Sequence, residues 1–273
     1  MTVNSWLSPR RFSLVSITAL IVVFLLFPVI VIWPLAFTSS NTLDFPPPGF
    51  SLQWFENILS DSIWSSSVIA SVEVAVGTMV VAILLGLPLT LGLVRGRFRG
   101  RGILYGLVLA PLVVPSVVVA VGMFFVWSVG WNVGFMSIGG HLTGTLPGMI
   151  LAHTTLAMPF VVVLIGASVR GVDPDLELAA RGLGADSWHT FRQVTLPLIV
   201  PGVLGAGVLA FLVSWDEPVI AQFLGSPTLL TLPARMYTAA KESIDPTVAA
   251  ISTVVTLTTA VLFALGLVFR RPR

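Results

Sequence analysis

The sequence predicts an all-α membrane protein with six transmembrane helices. Three observations support this fold class. Hydrophobic residues make up 56% of the 273 residues and charged residues only 10%, whereas soluble domains carry about 25% charge. Six apolar runs are each long enough for a bilayer core of about 30 Å, which needs roughly 20 helical residues. Basic residues cluster between alternate runs, as they do in multi-pass proteins.

The apolar runs are separated by polar or proline- and glycine-rich breaks. They cover about residues 14–37, 65–94, 103–128, 145–169, 199–223 and 247–269, which we treat as one domain over 14–269. Prolines inside the runs are tolerated in membranes because neighbouring helices satisfy the freed carbonyls. We therefore interpret each run as one helix, with a bend at Pro218. The first run follows Arg10 and Arg11 like a secretory signal, but it is too long for one and lacks a cleavage site, which favours a retained helix.

The basic residues predict the orientation, because arginine and lysine near a helix end resist translocation. Twelve of the fourteen fall on one side: before the first run, in the second and fourth loops, or after the last run. We therefore expect cytoplasmic termini at residues 1–13 and 270–273 and a multi-pass plasma (inner) membrane protein. The cluster Arg95 to Arg101 is explained by this topology and by anionic headgroups. Five tryptophans near the opposite ends predict an interfacial aromatic belt: Trp33, Trp54, Trp64, Trp127 and Trp131.

The fourth loop, residues 170–198, has the pattern of two short amphipathic helices. Asp173 is a suitable N-cap for the first helix and Pro174 suits its first position. Four apolar residues then recur at helical spacing: Leu176, Ala179, Ala180 and Leu183. Gly184 is expected to end this helix, since glycine readily takes the left-handed conformation.

The second predicted helix of the loop is capped by Asp186 or Ser187. Its apolar residues at helical spacing are Trp188, Phe191 and Val194. Thr195-Leu196-Pro197 is expected to close it before the fifth run.

This loop resembles the signature of inner-membrane permeases of binding-protein-dependent ABC importers. That signature, the EAA loop, reads Glu-Ala-Ala, three residues, Gly, nine residues, Ile-x-Leu-Pro. Here Ala179-Ala180, Gly184 and Val194-Thr195-Leu196-Pro197 keep both spacings. Leu178 stands at the family's glutamate position, and Glu177 lies one residue earlier. The resemblance implies the type I importer permease fold.

In that family the loop is a coupling helix that docks into a groove on a separate ATPase and transmits its closure to the spans. The resemblance therefore implies these coupling residues: Asp173, Glu177, Leu178, Ala179, Ala180, Gly184, Ala185, Trp188, Phe191, Leu196 and Pro197. It also implies three kinds of partner: ATPase subunits, a second similar permease and an extracytoplasmic solute-binding protein. The alternative is an amphipathic hairpin on the lipid surface.

The chain itself predicts no catalysis, cofactor or metal site. A phosphate-binding loop needs Gly-Lys-Ser/Thr, and Lys241 is flanked by Ala240 and Glu242. Cysteine is absent, and the three histidines are scattered along the chain. We expect His153, in the fourth run, to be a hydrogen-bonded packing residue. ATP hydrolysis is therefore expected on another polypeptide.

The resemblance extends to the spermidine/putrescine branch of these permeases, which implies a polyamine substrate. The matching segments are Phe45 to Phe55, Arg97 to Gly100 and Ser214 to Pro218. Related importers for ferric iron or other small solutes share parts of these segments and stay as alternatives.

Three carboxylates in the runs are candidates for a cation pathway: Asp216, Glu217 and Glu73. A carboxylate inside a span is costly and usually faces protein or water. A stripe of small residues would place Glu217 at a helix interface: Gly202, Ala206, Ala210, Ser214, Glu217 and Ala221. The structural alternative is that Asp216 and Glu217 cap a helix end or pair with Arg235, and that Glu73 lies at headgroup level.

Two other function classes remain open. An ion-coupled secondary transporter would use the same three acids as coupling groups, would work without ATP and would give no role to residues 173–197. A membrane scaffold that transports nothing would leave the buried acids unexplained.

Overall fold

A computed structural model of the chain describes residues 9–133, 136–138, 140–242 and 245–268. These residues are almost entirely helical. In chain order the helices are α1 (Pro9–Ala36), α2 (Gln53–Ser60), α3 (Ser62–Arg95), α4 (Arg101–Leu109), α5 (Ser116–Val129), α6 (Leu146–Arg170), α7 (Pro174–Gly182), α8 (Ser187–Thr190), α9 (Leu196–Trp215), α10 (Val219–Leu224), α11 (Leu232–Glu242) and α12 (Pro246–Val268). A short antiparallel hairpin, β1 (Trp131–Val133) and β2 (Met136–Ile138), pairs Asn132 with Ser137.

Five helical segments among the described residues are long and apolar enough to cross a membrane. They are Ser13–Ala36, Ser62–Arg95, Leu146–Arg170, Ser187–Trp215 and Pro246–Ala264. A sixth crossing is made only if α4 and α5 together form one broken span. This number agrees with the predicted all-α membrane fold, and the long helices match the predicted runs to within a few residues except at the fifth.

The third predicted span, 103–128, is not one continuous helix. After α4, one turn of 3₁₀-helix covers Ala110–Leu112, and α5 then leaves at an angle of 105°. Pro111 and Pro115 explain the break, because proline has no N–H to donate and its ring clashes with the carbonyl four residues earlier. The expectation that both prolines are absorbed into a continuous helix was therefore wrong, although Pro88 and Pro159 do lie inside α3 and α6.

The fifth predicted span, 199–223, also ends early. Helix α9 stops at Trp215, and α10 begins at Val219 after a non-helical break. Pro218 lies directly before α10, and without an N–H it cannot continue the hydrogen-bond ladder of α9. The predicted stripe of small residues therefore holds only from Gly202 to Ser214, and Glu217 and Ala221 do not belong to it.

The chain divides into two compact units. The first comprises Met1–Ser60 and Ala239–Thr256. Its described contacts join the segment after α1 to α2: the Trp54 indole donates to the Thr38 carbonyl at 2.7 Å, and the rings of Phe37 and Phe55 lie 5.0 Å apart. The Asn57 amide donates to Thr247 Oγ1 at 3.1 Å, which connects α2 to the start of α12.

The second unit, Asp61–Thr238 and Leu257–Arg273, is built around α3, α6 and α9. Small buried residues let these helices approach closely, as is usual in membranes: Ala82, Ala157, Ala206 and Ala210. The contact between α6 and α9 is tightest at Gly202, where an added Cβ would lie 1.8 Å from Ser168 Oγ. A second core cluster in this unit includes Trp127, Met149 and Ile220.

The predicted tryptophan belt is only partly interfacial. Trp64 and Trp127 are 6% and 9% exposed, so they pack inside the protein. Trp33 is exposed at 41% and stays compatible with an anchor. The side chain of Trp131 lies outside the described residues, as do the whole of 1–8 and 270–273 at the predicted cytoplasmic termini. The orientation therefore stays a prediction.

Candidate functional site

The first helix of the fourth loop forms as its sequence predicts. Asp173 has extended backbone angles, and its carboxylate accepts from the Asp175 N–H at 3.0 Å. Pro174 then opens α7, where its missing N–H costs nothing because the first amides of a helix have no internal partner. The predicted N-cap and first position are both confirmed.

Gly184 ends this helix through a left-handed backbone. Its φ is +91°, which a residue with a Cβ adopts only at a cost. The Ala185 N–H donates to the Ala180 carbonyl at 3.1 Å, and the Gly184 N–H donates to the Arg181 carbonyl at 3.0 Å. This pair of bonds is the Schellman arrangement, which satisfies the last carbonyls of the helix and reverses the chain.

The second helix of the loop is continuous with the fifth long helix. Helix α8 passes into a π-helical segment at Phe191–Thr195, which passes directly into α9. The Leu196 N–H reaches back five residues to the Phe191 carbonyl. Such widened turns accommodate a local irregularity within a helix, and Pro197, which cannot donate, follows immediately. The expectation that Thr195-Leu196-Pro197 closes a separate helix was therefore wrong.

Asp186 caps this continuous helix. Its carboxylate accepts from the His189 backbone N–H at 2.7 Å and lies 2.9 Å from His189 Nδ1. The hydrogen bond from the His189 backbone, followed by the one from its side chain, lowers the pKa of the Asp186 carboxyl. Of the two predicted caps, Asp186 and not Ser187 is used.

Four large apolar side chains of the loop, within residues 173–197, are exposed, whereas Phe191 and Val194 are half-buried. Leu183 is 91% exposed, Trp188 is 63% exposed and Leu178 is 61% exposed. Leu176, on the predicted apolar stripe, is exposed as well. Leu176 and Leu183 lie on one side of α7 and Leu178 on the other, and exposed apolar groups can mark interaction sites. The loop thus presents an apolar surface that this chain does not cover.

Glu177 faces the opposite way and ties the loop to two long helices. Its Oε1 lies 3.2 Å from Arg95 Nη2, at the end of α3, and accepts from Thr195 Oγ1 at 3.0 Å. The same Arg95 nitrogen donates to the carbonyls of Val169 and Val172 at 3.3 and 3.1 Å. We call Arg95, Glu177 and Thr195 the loop tether. Because the bonds to Glu177 are charge-assisted, each is stronger than a neutral one.

Sequence reasoning placed Glu177 in the loop but missed the role of Arg95, which it assigned to topology. Helical phase could have indicated the inward direction of Glu177. Adjacent residues of α7 lie about 100° apart around the helix, so Glu177 can face inward while Leu178 is exposed. Arg95 Nε is buried without a partner among the described residues, so the tether uses only one end of the guanidinium.

The three carboxylates proposed for a cation pathway are not brought together. Glu217 accepts from the backbone N–H groups of Val219 and Ile220 at 2.7 and 3.1 Å, so it caps α10. Arg235 donates to Ser67 Oγ at 2.7 Å. The capping alternative therefore holds for Glu217, and the alternative of a bond to Arg235 does not. Asp216 is exposed at the end of α9, and Glu73 is exposed on α3.

A buried polar group connects the three central helices. His153 Nδ1 on α6 lies 2.8 Å from Ser214 Oγ on α9, and this hydroxyl donates to Thr78 Oγ1 on α3 at 3.4 Å. His153 is fully buried, as expected for a hydrogen-bonded packing residue. In the part of the chain that the structure describes, no three histidine, aspartate or glutamate side chains form a group that could hold a metal ion.

Comparison with known proteins agrees with this geometry. Residues 79–273 match the family described as binding-protein-dependent transport system inner membrane component. The Escherichia coli (strain K12) spermidine/putrescine transport system permease protein PotC is 32% identical over 114 residues, which cover 42% of this chain and 43% of that protein. The putrescine transport system permease protein PotI of the same strain is 35% identical over 105 residues, covering 38% and 37%.

The trehalose transport system permease protein SugB of Mycobacterium tuberculosis (strain CDC 1551 / Oshkosh) is 33% identical over 109 residues, covering 39% of this chain and 40% of that protein. The matched segment thus spans less than half the length of each of these relatives.

Solved structures share the fold over nearly the whole chain. A chain of a bacterial ABC transporter involved in the import of the acidic polysaccharide alginate superposes with a TM-score of 0.68 at 15% identity, covering 98% of both chains. A chain of the MetNI methionine ABC transporter gives a TM-score of 0.62 at 18% identity, covering 76% of this chain and 95% of that one. The fold is the type I ABC importer permease fold. The chain belongs to the family of binding-protein-dependent transport system inner membrane components.

Proposed function

We propose that this chain is the non-catalytic permease subunit of an ABC importer and that residues 173–197 dock onto a separate ATPase. The observation that carries the proposal is the exposure of large apolar side chains along the loop, among them Leu178, Leu183 and Trp188. An apolar surface on a capped, rigid helix pair fits a protein groove better than it fits water. The family membership supports the same assignment.

The loop tether connects the proposed docking surface to two of the long membrane helices. A force applied to α7 reaches α3 through Arg95 and α9 through Thr195, because both side chains bond the same Glu177 oxygen. Coupled motions need such stiff connections between packed elements. In the proposed complex the chain forms half of the translocation pathway with a second, similar permease, and a solute-binding protein delivers the cargo. The alginate transporter structure in complex with its periplasmic protein supports the solute-binding partner by analogy.

Docking is tested by Gly184→Val. The φ of +91° at Gly184 is strained for valine, while an added Cβ there meets no atom within 4 Å, so the substitution changes the turn and not the packing. We expect the variant to insert normally and to lose co-purification with the ATPase and stimulated ATP hydrolysis. Gly92→Val is the matched control, since Gly92 also has open space around an added Cβ and lies within α3, outside the docking loop, without a positive φ. Normal ATPase association of Gly184→Val contradicts the docking proposal.

We further infer that the solute is a polyamine. The relatives PotC and PotI, whose names give spermidine and putrescine, support this class. Asp216 and Glu73 are both exposed and cap no helix, and we assign Asp216, at the end of α9, to the passing cation. The relative SugB, named for trehalose, makes an uncharged solute the second candidate. Ferric iron and an ion-coupled mechanism stay as further alternatives.

The substrate class is tested by Asp216→Asn in vesicles that hold the assembled transporter. We expect uptake of spermidine to fall several-fold with assembly unchanged, because one carboxylate on the route no longer attracts the cation. Asp44→Asn, which removes a charge from an exposed segment of the first unit, is the control. Unchanged uptake returns Asp216 to a structural role. Uptake that persists without ATP favours the ion-coupled carrier.

A further inference from the structure

A cavity of about 450 Å³ lies between the end of α3, the start of α4 and the end of α6. Its volume is within the range of small-ligand sites, about 300–1,000 Å³. The residues that line it divide into a charged part, with Arg101 and Arg170, and an apolar part, with Leu93, Val94 and Val162. None of the eight lining residues is an aspartate or a glutamate.

The two arginines have no carboxylate partner within the described residues. The ion pairs there are Arg95 with Glu177 and His189 with Asp186. Arg101 reaches only the Gly96 carbonyl, at 3.5 Å, which is the outer limit of a hydrogen bond. Their positive charges are therefore available to a ligand that enters the cavity.

The Arg170 guanidinium lies beside Gly166, one turn earlier on α6. An added Cβ on Gly166 would lie 3.4 Å from Arg170 Nη1 and 3.5 Å from Thr90 Cγ2. The side chain thus turns back along α6, as long helical side chains do, and lies beside α3 at the cavity. Arg101 approaches from α4, so two helices bring guanidinium groups to one space. Tyr105, also on α4, adds a hydroxyl to the lining.

We propose that this cavity binds a phosphate-bearing anion. Guanidinium groups match phosphate oxygens in both charge and geometry, and basic pockets between transmembrane helices bind lipid headgroups. Val162, about 12 Å along α6 from Arg170, is 2% exposed and Leu93 is 3% exposed, so the accessible part of the cavity is the charged part, which suits a lipid headgroup. An anionic phospholipid is therefore the favoured source of the phosphate, and free phosphate is the other.

The arginine cluster that the sequence presents as one unit thus has three parts. Arg95 belongs to the loop tether, Arg101 is exposed and lines the cavity, and Arg97 and Arg99 are exposed and do not line it. Replacing Arg97 and Arg99 with glutamine is therefore the control, because it removes the same number of charges as the test variant.

The test is native mass spectrometry of the full-length chain in neutral detergent with added phosphatidylglycerol or phosphatidylcholine. We expect the wild type to retain one phosphatidylglycerol in preference to phosphatidylcholine. Arg101→Gln/Arg170→Gln should lower the affinity for phosphatidylglycerol about thirtyfold, because each arginine contributes roughly a factor of five. Arg97→Gln/Arg99→Gln should change it less than about twofold, because neutral detergent presents no charged surface. Arg101→Lys/Arg170→Lys should bind with an affinity between those of the wild type and the glutamine pair, because lysine keeps the charge but not the guanidinium geometry.

A second measurement separates the two sources. Inorganic phosphate is added to the wild type at millimolar concentration. If it displaces phosphatidylglycerol and protects the protein against thermal unfolding, the ligand of the cavity is free phosphate. No displacement assigns it to the lipid. The proposal is overturned if the wild type and Arg101→Gln/Arg170→Gln retain phosphatidylglycerol equally. It is also overturned if both glutamine pairs lose affinity for phosphatidylglycerol by the same factor. If the double variant does not fold, Arg170→Gln alone carries the test, with an expected loss of about fivefold.

Discussion

Glu177 and Leu178 are neighbours in sequence that have opposite roles. Glu177 turns toward Arg95 and Thr195, and Leu178 is exposed on the other side of α7. The family signature has glutamate at the second of these positions. In this chain the carboxylate instead lies one residue earlier and is used inside the subunit, and a leucine faces the proposed ATPase.

The loop tether is tested by Glu177→Gln. The bond to Arg95 should weaken by about 1 kcal/mol, since the pair is partly exposed and such pairs contribute little more. We expect the amides of α7 to exchange with deuterium about fivefold faster, measured by hydrogen-exchange mass spectrometry. Leu178→Ala is the control, because its side chain contributes to the outer surface and not to the tether. Equal exchange in Glu177→Gln and the wild type would show that the tether does not hold the loop.

Prolines act at the scale of the helix, and their effect differs from one helix to another. Pro159 is buried inside the continuous helix α6. Pro88 lies inside the continuous helix α3 although it is exposed. Pro111 and Pro115 lie between α4 and α5, where the chain bends by 105°. The sequence pattern therefore predicts where a break is possible, but proline alone does not decide whether the helix continues.

The contact between α6 and α9 is tested by Gly202→Ala. The new Cβ would lie 2.6 Å from Ser168 Cβ, and since that atom cannot rotate away, the helices must move apart. Overpacking of this kind costs about 1–3 kcal/mol, so we expect a lower temperature of thermal unfolding in detergent. Gly205→Ala, on the same helix with no atom within 4 Å of the added Cβ, should be neutral.

A second substitution makes this test specific. Ser168→Gly combined with Gly202→Ala removes the clashing atoms and should restore the unfolding temperature. A Gly202→Ala variant as stable as the wild type would contradict the packing described for α6 and α9.

At the scale of the whole molecule, hydrophobic run length and the N-cap, proline and glycine signals of the fourth loop predicted most of the fold. These features are local, so one sequence contains them. The loop tether, the role of Glu217 and the arginine cavity depend on residues far apart in the chain. Arg95 and Glu177 are separated by 82 positions, and no local pattern relates them. The sequence therefore identified the loop as the candidate site but not how it is attached.

The continuity of the helix from Ser187 to Trp215 has a mechanical consequence. These 29 residues form one helical segment about 40 Å long. Trp188 lies near its start, and Thr195 is the point at which Glu177 holds it. Roughly 30 Å separate Thr195 from Trp215 along the axis, so a tilt of about 10° displaces the far end by about 5 Å. That displacement is larger than the 2.8 Å between His153 and Ser214. In the proposed function, a tilt of this size on docking would separate His153 from Ser214 at the centre of the bundle.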